Sequence, residues 1–290
     1  MDRLGLGYGD FAKTHPNLIY CSISAFGQDG PRAQDGGFDL TIQAMSGIMS
    51  ITGEADGNPV KCGMPISDFS TGLYGAFAIA SLIAQVRAGG EGGYIDVSML
   101  GASLGVSALQ TSEYFGSGKD PRRLGAAHPR NSPYQAFKAA DGNYVLAAGN
   151  DKLWKSVCKV IGRPDLTEDP RYLTTPDRAR HQTEIAKIMN DFSRDKTVET
   201  VLEVFTAEGV PCSPINSYSQ ALADPQVEHM GWVLPLELPN GHKTHTFGSP
   251  IKINGQSAPL RSGPPALDQD RDEVLASFET LKSASSTADN

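Results

Sequence analysis

Apolar and polar positions follow two different periods along the first part of the chain, and each period predicts a different kind of element. Residues 18–24 form a short apolar run rich in β-branched and aromatic side chains, which predicts a buried strand of a parallel sheet. Residues 94–99 form a second run of this kind. Helical spacing of apolar residues covers 39–53, and a helix is also expected over about 100–114. Strands that alternate with helices indicate an α/β fold.

The strongest helical signal covers residues 68–86. Apolar side chains occupy nearly every side of this segment, which predicts a helix buried on all faces. Ser67 or Asp68 is expected to cap its N-terminus. The segment is marginal in length for a bilayer and contains several polar residues, so a membrane span is not expected.

The pattern changes near residue 118, where a loop begins that reaches residue 133. Alternation across residues 134–148 is broken at an Asp-Gly pair, which indicates a β-hairpin. Further helices are expected at 151–161, 175–193, 197–208 and 268–282, and a second hairpin at 232–255.

These elements predict an α/β protein with a Rossmann-like parallel sheet and a second, smaller α+β domain. We assign residues 1–117 to part of the large domain and residues 118–225 to the small α+β domain with its linker. Residues 226–290 are expected to return to the large domain and to end in a polar tail.

Composition narrows the classes of function. The 25 Lys and Arg residues against 33 Asp and Glu give a net charge of −8, and no basic stripe is present, so neither nucleic acid nor an anionic membrane surface is an expected partner. The four cysteines are widely spaced and form no CxxC pair, which favours reduced thiols in a cytoplasmic protein. The first residues carry no apolar run of the kind that signal peptides have.

Candidate chemistry is concentrated at Asp68. The sequence has no GxGxxG, P-loop or HExxH motif, so neither a metal nor a nucleotide cofactor is expected. Asp68 precedes the apolar helix, where a carboxylate is an ordinary N-cap. A helix N-terminus in apolar surroundings also favours a charged but poorly solvated carboxylate, and such a group can act as a covalent nucleophile. Residue type alone leaves both interpretations open.

Ordered short segments along nearly the whole chain add a resemblance. They are LGLGY (4–8), LIYCSISAFGQ (18–28), GFD (37–39), QAMSG (43–47), MPISD (64–68), TG (71–72), PYQAF (133–137), DG (141–142), GVP (209–211), PIN (214–216) and DPQV (224–227). In this order they resemble the family III CoA-transferases, which include formyl-CoA, carnitinyl-CoA and succinyl-CoA:carboxylate transferases. The contexts of residues 71–74 and 148–150 are most similar to the succinyl-CoA:glutarate type.

The resemblance implies a function and a set of site residues. Asp68 takes the place of the family's nucleophilic aspartate, which exchanges CoA between an acyl-CoA donor and a small carboxylate acceptor. Coenzyme A is then the acyl carrier, and an interlocked homodimer is implied. The implied CoA contacts are Gly36, Gly37, Phe38, Asp39 and Arg130.

Two alternatives stay open beside this assignment. Racemases of the same superfamily act on α-methylacyl-CoA and carry a histidine where this chain has Phe38, which cannot transfer a proton. Family members also begin with a strand–helix–strand stretch that supplies much of the CoA site, and this sequence starts after it. We therefore expect a sheet with fewer strands and weaker CoA binding, and an inactive fragment is the second alternative.

The family's lid is a further point of departure. Some members place a run of four glycines from the small domain over the aspartate, and this sequence lacks that run. The loops at residues 128–132 and 149–150 are the nearest candidates.

Overall fold

Two parallel strands organise the first part of the chain in a computed structural model, which describes residues 1–278. Strand β1 (Ile19–Ser24) and strand β2 (Gly93–Ser98) run side by side from the pair Ile19 and Gly93 to the pair Ser24 and Ser98. Parallel neighbours need a crossover connection, and helices supply it here. The predicted α/β class with a parallel sheet is confirmed.

Six helices accompany these strands. They are α1 (Tyr8–Phe11), α2 (Asp39–Met45), α3 (Ile48–Ile51), α4 (Ile66–Arg87), α5 (Met99–Val106) and α6 (Ala108–Ser117). Two helices that the sequence predicts as continuous are interrupted. Gly47 separates α2 from α3 with a φ of 86°, which glycine adopts without strain, and Ser107 separates α5 from α6.

The long helix α4 is not buried on all faces, so this prediction is wrong for the described chain. The elements α2, α5, β1 and β2 pack against it. Phe69, Leu73 and Phe77, spaced four residues apart on one face, are 64%, 71% and 74% exposed. The sequence pattern shows that apolar side chains lie on nearly all sides of α4, whereas the described elements bury only one side of it. Length and composition alone would allow α4 to cross a membrane.

A three-stranded sheet follows, in the order β3, β4, β5, with helices beside it. Its elements are β3 (Tyr134–Lys138), β4 (Asn143–Ala147), α7 (Asp151–Val160), α8 (Thr175–Arg180), α9 (Gln182–Ser193), α10 (Val198–Ala207) and β5 (Cys212–Pro214). The antiparallel pairing of β3 with β4 confirms the predicted hairpin.

The larger hydrophobic core lies among these elements. Tyr144 and Leu146 of β4 face Trp154 of α7, Ile185 of α9 and Phe205 of α10, and all five are almost fully buried. A smaller cluster in the first part of the chain contains Ala25, Ile42 and Met99. Amphipathic helices against one face of a sheet are the expected α+β solution.

The chain divides into two compact units, Met1–Ser213 and Pro214–Asn290. The second unit contains α11 (Tyr218–Leu222), α12 (Pro225–Met230), β6 (Val233–Glu237), β7 (Lys243–Phe247), β8 (Lys252–Ile253) and β9 (Gln256–Ser257). The hairpin of β6 and β7 confirms the one predicted within 232–255. The predicted helix over 268–282 is present at 271–278, and its end lies outside the described residues. The domain boundaries at 117 and 225 stay a prediction.

Candidate active site

Asp68 is the third residue of α4, and its side chain is exposed. No hydrogen bond or ion pair within residues 1–278 reaches its carboxylate, which is therefore free to meet a ligand. The prediction that Ser67 or Asp68 caps the helix is wrong, because α4 begins earlier, after Pro65, which has no side-chain donor or acceptor. The expected apolar enclosure of the carboxylate is not built by the described residues.

A hydrogen-bond acceptor for the first turn of α4 comes from another helix. Asp39, the first residue of α2, accepts a hydrogen bond at Oδ1 from the backbone N–H of Ser67, over 2.9 Å. A carboxylate at a helix N-terminus satisfies a free backbone donor and meets the positive end of the helix dipole. Asp39 thereby fixes the residue directly before Asp68.

Gln43 completes this arrangement from one turn further along α2. Its Nε2 donates to Oδ2 of Asp39 over 2.7 Å and lies 3.4 Å from the carbonyl oxygen of Met64. Its Oε1 accepts the N–H of Cys62 over 2.8 Å. Gln43 is fully buried, and both ends of its amide are used. Sequence reasoning missed this role, since Gln43 stood out only as the first letter of the QAMSG segment.

Serines join the first turn of α4 to α5. The Oγ of Ser103 lies 2.9 Å from the Oγ of Ser67 and 2.7 Å from the carbonyl oxygen of Met99. Ser67 and Ser103 are both fully buried. Thr71 donates to the Ser67 carbonyl oxygen over 2.6 Å. The turn that carries Asp68 is thus held by α2 on one side and by α5 on another.

The predicted segment 36–38 leads into this arrangement through Asp39. A Cβ at Gly37 would lie 2.7 Å from the Cβ of Ala25, so only glycine fits there. Phe38 is 82% exposed, which rules out a role in the core of this chain and leaves the ring available to a ligand. Gly36 is exposed as well.

Arg130 lies on a separate loop, residues 128–132, and its side chain is exposed. The backbone N–H of Arg130 donates to Nδ1 of His128 over 3.1 Å. Partial burial, with the charge of Arg130, lowers the pKa of His128 below its usual value. Asn131 lies beside Gly149, so the two lid candidates are neighbours. No hydrogen bond or ion pair of the described chain connects this loop to the Asp68 segment.

A buried arginine anchors that loop. Arg178 of α8 donates from Nε to the carbonyl oxygen of Ser132 over 3.1 Å and from Nη1 to that of Tyr172 over 3.0 Å. Its Nη2 pairs with Asp151 at 2.7 Å, and its guanidinium lies 5.7 Å from the ring centre of Trp154. Nothing in the sequence distinguishes Arg178 from the exposed arginines near it.

Two arginines that precede this loop in the chain, Arg122 and Arg123, differ in their surroundings. Arg122 lines a cavity of about 790 Å³ together with Lys119 and Arg180, but Glu113 and Asp120 line it too. Arg123 is engaged inside the chain, where Nη1 donates to the Ser50 carbonyl oxygen over 3.2 Å. The cavity that Arg122 lines therefore carries both positive and negative side chains.

Comparison with known proteins places this arrangement in a family. The sequence profile of CoA-transferase family III matches residues 1–271. The chain is 37% identical over 280 residues to the succinate–glutarate CoA-transferase of Agrobacterium fabrum, covering 97% of this chain and 70% of that protein. It is 34% identical over 275 residues to the succinyl-CoA:glutarate CoA-transferase of Homo sapiens, covering 95% of this chain and 63% of the human protein.

A solved structure agrees with the sequences. The crystal structure of a CaiB/BaiF family protein from Brucella suis superposes with a TM-score of 0.78 at 34% identity, over 95% of this chain and 72% of that one. The chain belongs to CoA-transferase family III, as the resemblance indicated. It spans less than two thirds of the human relative's length.

Proposed function

We propose that this protein transfers CoA between carboxylic acids, from an acyl-CoA donor to a small carboxylate acceptor, and that Asp68 is the nucleophile. The observation that carries the proposal is the state of Asp68. Its carboxylate is exposed and has no partner among residues 1–278, yet it stands on a helical turn held from both sides. A rigid support with a free reactive group is what covalent catalysis requires.

The first half of the reaction forms a thioester on the enzyme. The Asp68 carboxylate attacks the thioester carbonyl carbon of the donor, and the C–S bond breaks to give a mixed anhydride and CoA thiolate. The thiolate then attacks Cγ of Asp68. This step releases the donor's carboxylate and leaves an aspartyl-CoA thioester.

The second half reverses these steps with the acceptor. The acceptor carboxylate attacks Cγ of Asp68, releases CoA thiolate and forms a second mixed anhydride. The thiolate attacks the acceptor's carbonyl carbon in turn, so that the new acyl-CoA leaves and Asp68 regains its carboxylate. One thioester is exchanged for another, so the reaction needs neither ATP nor a metal. Each tetrahedral oxyanion needs hydrogen-bond donors, for which we propose backbone N–H groups.

Contacts to CoA are proposed for the residues that the family resemblance selects. Gly36, Gly37 and Phe38 adjoin the Asp68 turn through Asp39, and the exposed ring of Phe38 is suited to the pantetheine arm. Asp39 belongs to this set by position, although its two carboxylate oxygens already accept hydrogen bonds within the chain. Arg130 is proposed to meet a phosphate or a substrate carboxylate from its exposed loop.

The substrate pair and the setting are also proposals. Succinyl-CoA with a dicarboxylate acceptor is favoured, because the relatives from Agrobacterium fabrum and Homo sapiens carry such names. A homodimer is proposed because α4 leaves a broad apolar face exposed. The four free cysteines support a reducing cytoplasm. The net charge of −8 argues against nucleic acid or an anionic membrane surface as a partner.

Trapping of the covalent intermediate tests the proposal. The chain is incubated with succinyl-CoA and then with hydroxylamine, which converts an aspartyl thioester or anhydride into a stable hydroxamate that peptide mass spectrometry locates. We expect the adduct on Asp68 and its loss in Asp68→Asn. Asp56→Asn, another exposed carboxylate without a partner in the described chain, is the matched control and keeps the adduct.

Four outcomes would count against the proposal. An adduct on another residue, or undiminished turnover by Asp68→Ala, would overturn the assignment of the nucleophile. Absence of any adduct in the wild-type chain would favour an inactive fragment. Rapid exchange of the α-hydrogen of a branched acyl-CoA in deuterium oxide would instead indicate the racemase.

A further inference from the structure

We propose that Gln43 is a positioning residue for the Asp68 nucleophile and that it acts through Asp39 and the backbone of residues 62–67. This inference rests on the proposed function for its catalytic meaning. Its structural basis, however, is a set of hydrogen bonds that are independent of any substrate.

The segment before Asp68 has little structure of its own to hold it in place. Residues 54–65 contain no helix or strand, and α4 starts after a proline that provides no side-chain cap. Such a segment has few contacts of its own to fix its path. Asp68 follows it directly, so any freedom in the segment is passed to the carboxylate.

Helix α2 holds both ends of this segment by hydrogen bonds. Gln43 is fully buried and holds the N–H of Cys62 at one end of its amide. At the other end it holds Asp39, which in turn holds the N–H of Ser67. The start and the end of the segment 62–67 are thereby attached to one turn of one helix.

The direction of these hydrogen bonds permits only certain side chains at positions 39 and 43. Gln43 presents a donor to the Asp39 carboxylate and an acceptor to the Cys62 amide. A glutamate at 43 would keep the acceptor but place a second carboxylate against Asp39. An asparagine at 39 would put an N–H group against either Gln43 Nε2 or the Ser67 N–H. Each single exchange therefore opposes like groups.

The double exchange restores the complementarity. With Asp39→Asn and Gln43→Glu together, the new amide at 39 accepts from the Ser67 N–H and donates to the new carboxylate at 43. That carboxylate still accepts the N–H of Cys62. Only the 3.4 Å contact of Gln43 to the Met64 carbonyl oxygen loses its donor. Size is preserved at both positions, so a rescue would report hydrogen-bond polarity rather than packing.

The experiment measures the rate at which succinyl-CoA forms the hydroxylamine-trapped adduct on Asp68, as a function of succinyl-CoA concentration. A misplaced nucleophile lowers the rate at saturation, by about tenfold to a hundredfold, and leaves the concentration for half-maximal rate within about twofold. We expect this split in Gln43→Glu, the same loss of saturating rate in Asp39→Asn, and recovery of that rate to within about threefold of wild type in the double variant. Gln85→Glu, at an exposed position of α4, the helix that carries Asp68, is the matched control and keeps the wild-type rate.

Hydrogen exchange provides a second readout that needs no catalysis. The Ser67 amide is protected by Asp39, so its exchange should speed up by about tenfold in each single variant and slow again in the double variant. Equal adduct rates in wild type and single variants would overturn the positioning role. Equal losses in single and double variants would overturn it as well. If the wild-type chain forms no adduct, the proposed function fails, while unchanged Ser67 exchange in the single variants would separately refute the network.

Discussion

Replacing Arg178 with methionine removes the one fully buried charged side chain among residues 1–278. The guanidinium donates to backbone carbonyls of Ser132 and Tyr172, two residues that are themselves buried, and pairs with Asp151. Methionine has similar length and apolar character but no donor. The substitution therefore leaves the volume of the site almost unchanged and removes its hydrogen bonds.

The magnitude follows from the fate of each partner. A buried carbonyl that loses its donor destabilises the fold by about 1–3 kcal/mol, and two are affected here. The Asp151 side chain is 63% exposed and regains water, so the lost ion pair adds less than about 1 kcal/mol. We therefore expect Arg178→Met to lower the free energy of unfolding by about 4 kcal/mol, within the range for breaking a buried ion pair.

The assay uses a tryptophan inside the same core. Trp154 is 2% exposed and lies beneath the Arg178 guanidinium. The chain has two tryptophans, so Trp232→Phe leaves Trp154 as the single fluorescent reporter. At a urea dependence of about 2 kcal/mol per molar, the expected loss moves the unfolding midpoint down by about 2 M.

A neighbouring arginine provides the comparison. Arg180 is 67% exposed and pairs with Asp177 on the same helix. Arg180→Met is expected to change the free energy of unfolding by less than about 1 kcal/mol. Equal effects of the two substitutions, or a loss below about 1 kcal/mol for Arg178→Met, would refute the view that the buried donors stabilise this core.

Three further predictions concern other parts of the chain. Burial, with the negative charge of Asp165, raises the pKa of Cys158 to about 12, so iodoacetamide at pH 8 should label this thiol only after unfolding in urea. Hydrogen bonds from Arg171 hold the pKa of Asp169 at about 2, so its stabilising contribution is present above about pH 4 and is lost as the pH falls towards 2. Acid unfolding followed at Trp154 should therefore flatten over this window in Asp169→Asn. Gly92→Ala would drive a Cβ into the carbonyl oxygen that precedes β1, which should lower the melting temperature measured by circular dichroism.

Each of these predictions has its own control. Cys21, Cys62 and Cys212 are only partly buried and should be labelled in the folded chain, and equal labelling of Cys158 there would contradict the first prediction. Asp56→Asn should leave the acid transition unchanged, and an equal effect of both substitutions would contradict the second. A Cβ at Gly116, inside α6, meets no atom, so Gly116→Ala should not lower the melting temperature. Equal melting temperatures for Gly92→Ala and the wild-type chain would contradict the third.

Local patterns predicted the elements of this fold well. The runs at 18–24 and 94–99 became the parallel strands, and the Asp-Gly break in 134–148 became the turn of a hairpin. Period and turn residues are properties of neighbouring positions, so one sequence contains them. The interruption at Ser107 was not predicted, because the residues around it suit a continuous helix.

The candidate site was less accessible to sequence reasoning. Asp68 was selected by resemblance, whereas the groups that hold its turn come from positions distant in the chain. Asp39 contacts Ser67 across 28 residues, and Gln43 contacts Cys62 across 19. Helix period shows that Gln43 lies on the same face as Asp39, but no local rule shows which segment they meet. The exposed face of α4 was not predicted for a related reason, because an apolar pattern does not show which elements pack against the helix.

The pairing of β1 with β2 has a consequence for the order of folding. Residue 19 meets residue 93, with α2, α3, α4 and their loops between them, whereas Lys138 meets Asn143 across a short turn. Closing the longer loop costs more entropy, so we expect the hairpin and its core to form first in refolding. On the ribosome, β1 cannot pair with β2 until Ser98 has left the exit tunnel. Strand β1 thus lacks this partner while residues 25–92 are made, and it is where chaperone dependence should be greatest.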